Sequence, residues 1–121
     1  MDKRVFRAEM VPWVEPPAHF GGFSKFLVNP ENLGSKYFDF RVSSYQPKGY
    51  AEAHTHKVCE QIYYVLQGTG LLELDGEKHL VGPHTAMFIP PGVRHGIANT
   101  GFEDLVFIVA TCPPDELPRP K

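Results

Sequence analysis

Hydrophobic and polar positions in this chain alternate over short stretches. From Tyr37 onward the runs FDFRVSSY, GYAEAHTH, EQIYYVLQG, TGLLELDG, EKHLVG, TAMFIPPG and EDLVFIVAT follow one another. They are rich in β-branched and aromatic residues, and turn signals recur about every 8 to 12 positions, a spacing that predicts an antiparallel sandwich or barrel. Asp75-Gly76 between LLEL and EKHL is the sharpest hairpin signal, because a two-residue turn needs the positive φ that Asp and Gly tolerate. TAMFI and EDLVFIVAT are apolar on both faces, so their phase is left open. Residues 1–36 carry VPWVEPPAHFGGF and LVNPENLGS, where proline and paired glycine interrupt each apolar run; they predict an extended arm with short strands. The domain is then 37–112, and 113–121 is a proline-rich tail over the surface or a neighbouring subunit. Trp13, between prolines, suits an arm packed on a partner.

Composition narrows this picture. The 121 residues suffice for one domain, and eleven glycines with twelve prolines, about a fifth of the chain, favour short elements over long helices. A formal charge of -2 lacks the basic excess of a phosphate-neutralising protein, so no nucleic-acid partner is expected. No apolar run approaches the roughly 20 residues of a membrane span. The charged opening MDKRVFRAEM does not resemble a signal peptide, and Cys59 and Cys112 read as reduced thiols, which together predict a cytoplasmic protein.

The candidate chemistry lies in the histidines. His54 and His56 stand two apart in an apparent strand, so they face one way, with Cα atoms about 6 to 7 Å apart. Two such imidazoles converge on one metal if a neighbouring strand supplies another ligand, for which Gln61 and His95 are the candidates. His19, His79 and His84 lack ligand spacing and read as surface or turn residues. Strand parity puts Tyr50 and Glu52 in phase with His54, and Tyr63 in phase with Gln61. These three are candidate general acids or bases. Cys59 shares the phase of Gln61 and reads as a buried, inert thiol, and the phenylalanines from Phe20 to Phe40 as core or subunit contacts.

The wider pattern resembles the cupin superfamily. Gly49, His54, His56, Gln61 and Gly68 match its first motif; Pro90, Gly92, His95 and Asn99 match its second. The resemblance implies an all-β double-stranded β-helix, a jelly-roll barrel, with a metal held by His54, His56, Gln61 and His95. Homodimers are common in such a family. Three positions depart from the pattern: Gly49 is displaced by one residue, His84 replaces a glycine whose freedom Gly82 is expected to supply, and Gln61 stands where Glu is usual. Register favours Gln61 inside and Glu60 outside, because adjacent strand residues face opposite ways.

Neutral ligands leave a divalent ion (Mn, Fe, Co, Ni, Cu or Zn) its full +2 charge, which favours anions. The expectation is a single-domain metallo-cupin, an enzyme acting on a small organic anion by oxygenase, decarboxylase, lyase, isomerase or cyclase chemistry. The alternative is a non-catalytic small-molecule-binding cupin with a structural metal.

Overall fold

A computed structural model describes residues 2–117. Eight strands carry the fold: β1 (His19–Val28), β2 (Asp39–His54), β3 (Glu60–Gln67), β4 (Gly70–Leu74), β5 (Glu77–Val81), β6 (Ala86–Ile89), β7 (His95–Asn99) and β8 (Leu105–Cys112). One helical turn, α1 (Pro30–Leu33), and two 3-10 turns complete the elements. No helix among the described residues is long and apolar enough to cross a membrane. Among the described residues the strands pair antiparallel, in the order β5-β4-β7-β2-β8-β3-β6 with β1 on β2. The fold is the all-β, curled jelly roll that the resemblance implies, one form of the antiparallel sandwich or barrel that the strand spacing predicts.

Alternation does the folding work in β3, where Gln61, Tyr63 and Val65 are buried and the residues between them are exposed. Leu105, Phe107, Val109 and Thr111 of β8 and Met87 and Ile89 of β6 face the same interior, which resolves the phase of both runs. The apolar core extends through Tyr45, Val65, Leu72, Val81, Ile97, Leu105 and Phe107. Asp75 (φ 49°) and Gly76 (φ 85°) form the expected tight turn between β4 and β5.

The first 36 residues are more ordered than an arm of short strands. β1 has ten residues and pairs with β2 from His19↔Ala51 to Val28↔Phe40. Glycines make this possible: a Cβ on Gly49 would run into the Gly21 backbone, so only glycine lets the two strands approach there. At the other departure from the motif, His84 itself takes the left-handed conformation (φ 67°), and its Nδ1 lies 2.9 Å from the Tyr64 hydroxyl. Gly82 is not among the residues with positive φ, so the freedom expected of it is exercised by His84.

Candidate metal centre

β2 and β7 bring the histidines together. His54 and His95 are direct cross-strand partners, and their ring centroids are 4.4 Å apart. His56 lies in the following turn, 4.7 Å from the His54 ring and 5.2 Å from that of His95. Its position is fixed by the second motif, because the Gly92 N–H donates to the His56 carbonyl at 2.8 Å. The hairpin turn holds the other side: Asp75 N–H donates to Arg94 O, and Arg94 N–H donates to the Asp75 carboxylate.

Potential ligand nitrogens of the three rings lie within 4.8 Å of one another, a little wider than the at most about 4.2 Å that two metal–nitrogen bonds of about 2.1 Å span, so that a small inward turn of the rings would bring them onto one ion. His54 Nδ1 donates to Glu52 O at 2.8 Å and His95 Nδ1 to Val93 O at 3.0 Å; since a carbonyl only accepts, both rings carry the proton on Nδ1. That leaves the Nε2 lone pairs for a cation. Burial pushes His56 down from its ordinary pKa and His95 down to about 4, so both are unprotonated at neutral pH. The Nε2 atoms of His56 and His95 are buried without a hydrogen-bond partner. Such orphans each cost about 1–3 kcal/mol, and a metal ion is a group that satisfies both at once. The residues present therefore fit a divalent cation.

The site opens into a cavity of about 320 Å³ lined by residues including His19, Arg41, Gln61 and Tyr63. A larger groove of about 630 Å³ lies between the N-terminal segment and β1, but its lining of Phe6, Met10, Val14, Phe26 and similar residues holds no candidate ligand cluster. Gln61 is buried in the wall of the cavity that His54 and His56 also line, and its Nε2 donates to Thr111 Oγ1 at 3.0 Å. Its oxygen faces the Tyr63 hydroxyl across a long 3.5 Å contact. Glu60 is exposed. Tyr63 is buried, and desolvation holds its phenol well above the usual range, so it remains protonated.

Tyr50 and Glu52 stand elsewhere. The register of β2 against β7 slips between Ala51↔Ile97 and His54↔His95, so that Glu52 and Ala53 on one strand oppose Gly96 alone on the other. This bulge reverses parity. Ala51 is buried, whereas Tyr50 points outward and stacks on Phe20 at 5.1 Å. Glu52 is exposed at the cavity rim. The expectation that both share the inward phase of His54 therefore fails for Tyr50 and is reduced to a rim position for Glu52.

His19 corrects a second expectation. Rather than lying free at the surface, it opens β1, lines the cavity, and packs edge-on against Tyr45 at 5.9 Å. Its Nδ1 donates to Pro17 O at 2.8 Å, and burial chiefly, with the charges of Arg41 and His54, lowers its pKa. Only the pairing of β1 with β2 brings it there, and no local spacing announces it.

Cys59 is 1% exposed, and burial pushes its thiol up to about 12, so it is inert. It does not belong to the histidine cluster. The described part of the tail reaches back to this loop. Glu116 accepts backbone N–H bonds from Lys57, Val58 and Cys59 at 2.6–2.7 Å, led by the Cys59 contact, which holds its carboxyl down at about 2. Residues 118–121 of the tail lie outside the described residues. Asn99 is structural: its amide donates to Tyr45 O and Glu103 O.

A family model for the cupin domain matches residues 41–111. The chain belongs to the cupin family. An uncharacterized protein from Methanocaldococcus jannaschii is 41% identical over 61 residues, covering 50% of this chain and 49% of that protein. Polyketide synthase CurC of Streptomyces cyaneus is 29% identical over 104 residues, 86% of this chain and 68% of its own length. The chain thus spans about half to two thirds of these curated relatives. Among solved structures, the predicted oxalate decarboxylase of Thermotoga maritima superposes with TM-score 0.80 at 24% identity, covering 89% of this chain and 97% of that one, which shows a shared cupin fold. Polyketide cyclase RemF from Streptomyces resistomycificus superposes with TM-score 0.78 at 27% identity, covering 91% and 81%.

Proposed function

We propose that this cupin is a metal-dependent enzyme acting on a small organic anion, its metal held by His54, His56 and His95 with the Gln61 amide oxygen as fourth donor. The observation that carries this reading is the pair of buried, unpartnered Nε2 atoms beside an open cavity. Similarity to CurC and to the cyclase RemF favours catalysis on organic substrates over mere bracing of the fold. When bound, the ion supplies Lewis acidity toward a substrate oxygen.

The chain's own residues do the rest. His54 and His95 are oriented by the carbonyls of Glu52 and Val93. Gln61 is oriented by Thr111. Tyr63, kept protonated by burial, donates a hydrogen bond to an oxygen that gains negative charge. His19, with its proton fixed toward Pro17, presents a free Nε2 lone pair and accepts a proton. The apolar walls from Phe107 and Val109 exclude water.

The test has two arms. Elemental analysis of purified protein should find about one transition metal per chain, lost in His56→Ala. Water-proton relaxation of the Mn-loaded protein should then report an exchangeable water, as a catalytic site requires. A closed coordination shell without water would replace the enzyme by the binding-module reading.

A further inference from the structure

Arg41 sits inside the barrel, 6% exposed, and among the described residues is the only Lys or Arg lining the cavity. Its Nε and Nη2 donate to the two oxygens of Asp39 at 2.6 and 3.2 Å, two residues away on the same face of β2. The Phe26 ring lies under its Cζ at 4.3 Å. A guanidinium has two fork-shaped edges; Asp39 occupies the side edge. Nη1, on the end edge, makes no hydrogen bond to any described residue. The carboxylates that line the cavity leave that edge open, since Glu52 is at the rim and Glu116 is engaged by three backbone N–H groups. Ser24 and Ser43 bond each other at 2.8 Å.

A buried ion pair is poor evidence of stabilisation, because desolving two charges offsets most of their attraction and apolar replacements often do as well. Its presence in a cavity wall calls for another cause. Asp39 and Phe26 hold the guanidinium plane from one edge and one face, which leaves a preoriented donor edge toward the cavity space. Tyr63 and His19 line the same cavity. Arg41, His19, His54 and His56 thus line one continuous cavity.

We infer that Arg41 is the specificity-determining residue of this cavity, binding the carboxylate of a small organic acid through its free guanidinium edge. This deepens the function proposed above and rests on the same cavity being the substrate site. The substrate carries the carboxylate at Arg41 and a second oxygen function toward His54, His56 and His95. Cavity size restricts it to small acids, since about 320 Å³ is at the lower end of ligand-pocket volumes.

Malonate and its uncharged analogue malonamide are the probes, titrated calorimetrically into wild type, Arg41→Lys and the double variant Asp39→Asn with Arg41→Gln. Metal content and melting temperature are measured on each. The double variant removes both charges of the pair together. Wild type should bind malonate and discriminate against malonamide. Arg41→Lys, which keeps the charge but loses the planar fork, should weaken malonate binding at least about tenfold, and the double variant at least as much, with unchanged metal content. Equal malonate affinity in the variants, equal affinity for malonamide, or no malonate binding by wild type would overturn the assignment. The same titration on metal-stripped protein separates the two readings. Arg41-dependent affinity surviving there upholds this assignment even if the purified protein holds no metal, an outcome that would sink the metalloenzyme reading alone.

Discussion

The two ends of β2 build different parts of the site by different means. From Asp39 to Tyr45 the strand runs in unbroken register against β8, and Asp39, Arg41, Ser43 and Tyr45 all point inward. From Tyr50 to His54 it leaves β8, pairs with β7, and accommodates one extra residue before His54 meets His95. The regular end holds a fixed ion pair whose geometry follows from the two-residue period. The irregular end aims the ligands, and there the period misleads. A ligand that must lean toward the mouth of a barrel is placed by breaking the ladder, at the expense of predictability.

The difference is sharpest in loss of metal. His54→Ala at the irregular end should abolish stoichiometric metal in elemental analysis while leaving far-ultraviolet circular dichroism intact, since this ring is only half-buried. Metal retention at wild-type level would break the comparison.

At the regular end the expected effect is on stability. Arg41→Met takes the guanidinium away from the buried Asp39 carboxylate, 0% exposed, and should lower stability in urea denaturation by up to about 3–5 kcal/mol. Asp39→Leu with Arg41→Met should recover most of that loss. If the double variant were as unstable as the single one, the pair would be more than a mutually dependent couple.

A pH-dependent effect comes next. Glu116 docks on the loop between the two ends of the first motif, and its folded pKa of about 2 lies below the ordinary carboxyl value of 4.5. Its contribution is therefore present above about pH 4.5 and is lost as pH falls toward 2. Glu116→Gln should lower stability at pH 7 and flatten the acid limb of the melting-temperature profile. A parallel acid limb in the variant would assign the transition to other carboxylates.

The smallest effect is expected at Tyr50. Because the bulge turns it onto Phe20, Tyr50→Phe should leave metal content unchanged and alter the melting temperature by no more than a surface substitution, within about 0.5 kcal/mol. A lost metal would mean that Tyr50 reaches the interior after all.

Much of the site was legible because its signals are local. The His-x-His pair, the turn at Pro90 to Gly92 and the inward phase of Gln61 each depend on a few neighbouring residues, and the structure brings His54, His56 and His95 together and buries Gln61 in the cavity wall. Tyr50 was misplaced because a bulge adds one residue without a sequence mark; Glu52 and Ala53 are unexceptional strand residues. His19 was missed because its role arises from pairing across more than thirty positions, His19↔Ala51. His84 shows the same limit on a smaller scale: its Tyr64 contact accompanies a left-handed backbone that glycine would take more cheaply.

Alternation, turn chemistry and motif spacing in the sequence determined an all-β barrel, its hairpins and three converging imidazoles, because each of these is fixed by backbone sterics over a few residues. Tertiary structure alone decided which face of β6 and β8 is inside, where β2 slips its register, and that Arg41 and His19 share a cavity with the histidines. Those outcomes depend on which strands lie side by side, and burial between distant strands is a property of the closed sheet that no short window of the chain contains.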